Sequence, residues 1–116
     1  MTAHIHTIEM KRGDMLRLNP VHIETAQGEP MNLNGYEVRW QLYFPNGNTP
    51  FLVKRSTNHK DVEVVNEEAG TLKITLASED TADLPHGRYY HEIQVVDSNN
   101  QVTTVASGAL VLLYKV

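Results

Sequence analysis

The sequence predicts an all-β fold, an antiparallel sandwich of about seven to nine strands. Three observations carry that expectation. Apolar side chains recur with a period of two, which places them on one face of a strand. Clusters of Gly, Asn, Asp and Pro interrupt these runs at short intervals. Helical character is confined to one short segment, Ser78 to Leu84.

Ile5 to Met10 alternates loosely and opens the series; Arg12-Gly13-Asp14 follows as a turn. Between Met15 and Glu24 the register shifts, with Leu16 and Leu18 on one parity, Val21 and Ile23 on the other, and Pro20 at the shift. Proline cannot donate to a ladder, so a bulge or an edge position explains both features. Gln27-Gly28-Glu29-Pro30 and Asn34-Gly35 turn the chain into Tyr36 to Phe44, where every even position is apolar. Trp40 shares that parity with Val38 and Leu42 and is assigned to the core. Pro45-Asn46-Gly47-Asn48 leads to two short strands, Phe51 to Arg55 and Asp61 to Val65. After Glu68-Ala69-Gly70, the residues Leu72, Ile74 and Leu76 share a face. A hydroxyl cap followed by acidic residues is a helix start, so Ser78-Glu79-Asp80 predicts a single helical turn near 78–84. In Tyr89 to Val95, the side chains of Tyr89, His91, Ile93 and Val95 point one way. The position of Tyr89, just past Pro85-His86-Gly87, predicts a tyrosine corner. Asp97-Ser98-Asn99-Asn100 reads as a hairpin turn into a long last strand, Val102 to Val116, with a break expected at Gly108.

The 116 residues suit a single domain, 1–116, with 41% hydrophobic and 21% charged residues. A chain of that size buries roughly two thirds of its unfolded surface, so one core needs no staples. Ten basic against 14 acidic side chains leave a net charge of −4. No basic surplus exists to neutralise phosphates, which argues against nucleic acid as a partner. The absence of cysteine removes disulfide scaffolds, thiolate metal sites and thiol nucleophiles together. The opening residues have neither a basic start nor an apolar run, so no signal peptide is read. The longest apolar run, Ala109 to Tyr114, is far short of the ~20 residues of a membrane helix, and no membrane partner is expected.

Four stretches read together: Lys11-Arg12-Gly13-Asp14; Gly28 through Trp40; Asn66 through Leu76; and Ser78 through Tyr89. Their order resembles small immunoglobulin-like structural proteins of tailed bacteriophages and prophages. It is similar to the N-terminal domain of phage baseplate upper proteins. The resemblance spans about Lys11 to Leu112 and rests on turn and strand signatures rather than on chemistry. It implies an immunoglobulin-like sandwich and a virion component without catalytic activity or cofactor, assembled in the host cytoplasm. The implied place is the tail, baseplate or fibre-attachment region, with head decoration or a collar as the alternative. Longer relatives continue into a fibre or receptor-binding part, whereas this sequence stops at Val116. His91 also departs from the pattern, because relatives place an aromatic or aliphatic residue there.

Other constellations have plain structural readings. Arg12-Gly13-Asp14 spells an adhesion tripeptide, but Gly and Asp are favoured in any tight turn. His4 and His6 share a strand face and are weak metal candidates, with His22, His86 or His91 as a third ligand. Glu67-Glu68 and Glu79-Asp80-Asp83 sit in turns rather than across a sugar cleft. Asp97 to Asn100 offers oxygen ligands for calcium but lacks an acidic repeat. No serine lies in a nucleophile elbow, and no phosphate-binding loop is present.

Binding is expected to use apolar and aromatic anchors. Tyr43 and Tyr90 fall on the parity opposite the core set and are candidate surface contacts. In Leu110-Val111-Leu112-Leu113 both parities are apolar, which a strand with one wet face should not show. Val111 and Leu113 are therefore candidate interface residues. The expected partners are other virion proteins and copies of the chain itself, with edge pairing at Thr103 to Val105 adding to the contact. A carbohydrate-binding module is a further alternative, which would need a row of exposed aromatics.

Overall fold

The computed structural model describes residues 3–4, 7–25, 27–58 and 60–114, without the side chains of residues 3, 4 and 19. The strands, in chain order, are β1 (Ala3–His4), β2 (Ile8–Lys11), β3 (Leu16–His22), β4 (Glu37–Tyr43) and β5 (Leu52–Arg55). There follow β6 (Val62–Asn66), β7 (Thr71–Leu76), a helical turn α1 (Ser78–Thr81), β8 (Gly87–Val96) and β9 (Val102–Leu113). The ladders make two sheets. One runs β1-β9-β8-β4-β5 with β2 also on β9, and the other runs β3-β7-β6.

That order is an immunoglobulin-like sandwich. β3, β7 and β6 take the places of strands B, E and D, while β4, β8 and β9 take those of C, F and G. One edge departs from antiparallel pairing. β1 and β2 both run parallel to β9, through Ala3–Ala106 and Ile8–Leu110 among other pairs. Parallel strands need a long connection, and here nearly the whole chain supplies it. β9 is also continuous at Gly108, which pairs with His91; the irregularity falls between Ile93 and Gln94 instead.

Most local signals have the predicted outcome. β3 is an edge strand, and its register shifts between Leu18 and Val21, around Pro20. The Asp97 carboxylate accepts from the backbone N–H groups of Asn99 (2.8 Å) and Gln101 (2.9 Å), so its oxygen is spent on the hairpin turn. Tyr89 donates its hydroxyl to the Pro85 carbonyl at 2.6 Å, which is the tyrosine corner. The helix start differs by one residue. Ala77 is the N-cap, and the Asp80 carboxylate accepts from its N–H at 2.7 Å. Lys54 reaches the same carboxylate at 2.9 Å and Asp61 at 3.4 Å. Burial alone would lower the Lys54 pKa, but these two acids outweigh it and raise it. This ion group ties β5 to α1 and to the start of β6.

The core lies between the sheets. Val38, Trp40 and Leu42 of β4 meet Leu72, Ile74 and Leu76 of β7, with Ile93, Leu110 and Leu112 closing it. Each such side chain contributes about 1.5–3 kcal/mol as an upper bound. One polar pair sits among them. Trp40 donates its indole N–H to Nδ1 of His91 at 3.2 Å, and both residues are fully buried. His91 must therefore carry its single ring proton on Nε2, which finds no partner among the described residues. Burial pushes its pKa down to about 4.

At one end of the sandwich, Gly70 adopts a positive φ of 66° against two backbone carbonyls. A Cβ there would lie 2.6 Å from the Met31 oxygen and 2.7 Å from the Ile23 oxygen. Both oxygens belong to backbone fixed by hydrogen bonds, since Ile23 N–H donates to Gly70 and Met31 N–H to Ile23.

Two stability measurements follow from the packing. Gly70→Ala is expected to lower the unfolding free energy by about 3 kcal/mol or more, because φ and contact are both violated. A denaturant midpoint close to wild type would contradict the approach drawn above. Stability should also be full above pH 6.5, where His91 is neutral in both states. Below it the unfolded chain takes the proton first, so stability declines until about pH 4, by about 3 kcal/mol in total. His91→Gln keeps an acceptor for Trp40 and should abolish that part of the acid dependence.

Candidate functional site

The outer face of the large sheet gathers the residues singled out in the sequence. Register places them in rows across the strands. Tyr43 of β4 is opposite Tyr90 of β8, which is opposite Ala109 of β9. One row on, Arg88 of β8 is opposite Val111 of β9, which is opposite Glu9 of β2. Leu113 pairs with Lys11 at the end of the same edge. Tyr90 is 43% exposed, Leu113 41% exposed and Val111 half-buried. The second apolar parity of β9 is thus real. β9 is flanked by neighbours in the plane of the sheet, yet no layer of the described chain covers this face.

Tyr43 is a correction. Its parity predicts a surface contact, but it is only 9% exposed. The ring lies against the sheet with its centroid 6.2 Å from that of Tyr90, and its hydroxyl donates to Gln41 Oε1 at 2.7 Å. Burial, and next the neighbouring Glu92 carboxylate, push its pKa up to about 12. Tyr43 is thus a mostly covered cross-strand neighbour of Tyr90 rather than an exposed ring. The neighbouring rows are tied down by charge: Glu37 binds Arg39 (3.4 Å) and Arg55 (3.3 Å). Burial raises the Glu37 pKa, and the two guanidinium groups more than reverse this, leaving it lowered.

Three further residues, none of them a candidate from the sequence, shape the site. Arg88, Pro45 and Thr7 line a hollow of about 380 Å³ together with Tyr90, Ser107 and Ala109. A second hollow of about 280 Å³ adjoins it, with Phe44, Pro85 and His86 on its far wall. Pro45 and Arg88 line both. Phe44 stacks on Phe51 at 4.3 Å, and the His86 ring lies 3.8 Å from that of Tyr114. Parity shows that Arg88 shares a face with Tyr90. The approach of Pro45 and Thr7 comes only with the turn after β4 and the parallel edge strand.

The other candidates are accounted for locally. His6 and the side chain of His4 lie outside the described residues, so that metal reading is not addressed by the geometry. Among the described residues no group of three or more His, Cys, Asp or Glu side chains is close enough to hold a metal ion. In the Arg12-Gly13-Asp14 turn, Gly13 N–H donates to Thr81 Oγ1 at 2.9 Å and Arg12 donates to the Leu84 carbonyl at 3.3 Å. The tripeptide is docked on α1 rather than displayed. Thr103 and Thr104 pair with β8 on one side, Val105 falls at the register shift, and the described β1 pairs with β9 at Ala106 and Ser107. No helix among the described residues is long and apolar enough to cross a membrane.

No family model matches the chain, and no curated protein matches it. Comparison with solved structures pairs it with a family 123 glycoside hydrolase from Clostridium perfringens, studied for the details of glycolipid glycan hydrolysis. The pairing has a TM-score of 0.42 and 13% identity, and covers 98% of this chain but 23% of that one. The chain thus spans under a quarter of that enzyme's length. A likeness at that level carries no functional inference.

The contrast between the two tyrosines is measurable. Tyr43→Phe removes a buried hydrogen bond and should lower stability by about 1 kcal/mol. Tyr90→Phe, at an exposed site, should change it by less than about 0.5 kcal/mol. Equal losses in denaturant unfolding would contradict the burial assigned to Tyr43.

Proposed function

We propose that the chain is a non-enzymatic structural protein of a bacteriophage virion that binds other virion proteins, in the tail, baseplate or fibre-attachment region. The observation that carries the binding part is the uncovered outer face around Tyr90, Val111 and Leu113. Apolar side chains gathered on one face beside a hollow are the form a protein contact takes. The virion part rests on the sequence resemblance, together with an immunoglobulin-like fold of the kind it implies.

The non-enzymatic part is supported by how the buried polar groups are used. His91 serves Trp40, Thr81 serves Gly13, and Asp80 serves both Ala77 and Lys54. Perturbed groups of an active site converge on a cleft. Here they are dispersed and occupied with holding the fold.

Val111→Asp and Leu113→Asp each place a charge on this face without touching the core. Each should leave the melting temperature within a few degrees of wild type and reduce incorporation into particles about tenfold or more. Quantitative blotting of purified virions measures the loss, and antibody labelling of intact particles separates tail from head. Undiminished incorporation of both variants would sink the proposed contact face.

A further inference from the structure

We propose that the Arg88 hollow is a carboxylate-binding site, taking an acidic side chain or chain terminus from an extended segment of a partner protein, with an apolar or aromatic group beside it. This rests on the protein-binding reading above and adds the chemistry of the partner.

Arginine is the first observation. The chain has five, of which Arg12 donates to the Leu84 carbonyl and Arg39 and Arg55 bind Glu37. Arg88 is exposed and has no carboxylate or hydrogen-bond partner among the described residues. Arg17 likewise has no such partner among the described residues, but it lines neither of the two hollows described above, whereas Arg88 lines both. A guanidinium presents donors in a planar fork that a carboxylate matches with two parallel bonds.

The walls are the second observation. Thr7, Tyr90 and Ser107 bring three hydroxyls to the hollow, and none has a hydrogen-bond partner among the described residues. Ser107, Gly108 and Ala109 are small, so the floor lies low against the backbone of β9. Pro45 and the Tyr90 ring supply apolar walls, which suit a ring or aliphatic group next to the carboxylate. A cation flanked by free hydroxyls and an aromatic side has the form of sites where a few polar groups fix orientation and the apolar walls add area.

Charge around the hollow is consistent with one carboxylate rather than with a multiply charged anion. Glu92 shares the outer face but sits opposite Ser107 and beside Tyr43, and it does not line the hollow. Glu9 is separated from Arg88 by Val111. Among the described residues, Arg88 is the only cation on the hollow's wall. A phosphate would find a single positive charge and two acids on the surrounding face.

The test uses the whole chain and three small probes: phenylacetate, phenylacetamide and inorganic phosphate. In an NMR titration, phenylacetate should give saturable shifts at the amides of Arg88, Tyr90, Ser107 and Gly108, with a dissociation constant on the order of millimolar. Arg88→Gln should weaken this about tenfold or more while the rest of the spectrum is unchanged. Thr7→Asp, which places a carboxylate of the chain's own on the rim, should weaken it as well. Phenylacetamide should not saturate. The proposal is overturned if phenylacetate gives no saturable shifts at these amides, if phenylacetamide binds equally, if phosphate binds as tightly, or if Arg88→Gln binds like wild type. None of these readouts requires a virion. A sound hollow in a protein absent from particles would refute the virion reading alone, and an empty hollow in a particle protein would refute this site alone.

Discussion

The interior depends on one hydrogen bond. Trp40 is the largest side chain in the core, and its indole N–H cannot be buried without an acceptor. His91 supplies it from the adjacent strand, where it stands opposite Leu42, two residues along from the partner of Trp40. The arrangement fixes the tautomer, because Nδ1 must be bare to accept. It also fixes the charge, since a second ring proton would set two donors against each other in a dry site. A phenylalanine or leucine at 91 would pack well but would strand the indole nitrogen. The strand pair β4–β8 therefore has both a hydrophobic reason and a polar reason to keep its register.

From that strand pair the two faces of the large sheet diverge. Inward, the alternation is unbroken and the core closes on β7. Outward, short-range pairing consumes most polar groups: Glu37 with two arginines, Gln41 with Tyr43. What is left unpaired among the described residues includes Arg88 and Tyr90, toward the end of β8 marked by the tyrosine corner. Tyr89 holds that corner by its bond to Pro85, and Arg88 is the residue before it in the chain. Rigidity inward and availability outward are two consequences of a single strand with period two.

The period made much of this readable in advance. Trp40, Leu72, Ile74, Leu76 and Ile93 followed directly from parity, and Pro20 and Tyr89 from backbone chemistry local to each. Tyr43 shows where parity stops. A face is not an exposure: a ring can be covered by its cross-strand neighbour, and register is needed to see that neighbour. Arg88 shares the parity of Tyr90, but that it has no counter-ion among the described residues depends on the strands beside it. The parallel placement of β1 and β2 had no local signal at all, since a short strand carries the same pattern whichever way its partner runs. The helix cap slipped by one residue because Asp80, reaching back, stands in for the hydroxyl expected in front.

The β2–β9 ladder joins Ile8 to Leu110 and Lys11 to Leu113, near opposite ends of the sequence. During synthesis β2 leaves the ribosome long before its partner exists. Met10, a core residue, has nowhere to settle until the last strand arrives. Contacts of such large sequence separation close slowly even when the chain is complete, because the loop entropy comes before the reward. This edge of the sheet can therefore be completed only after the last strand has been made.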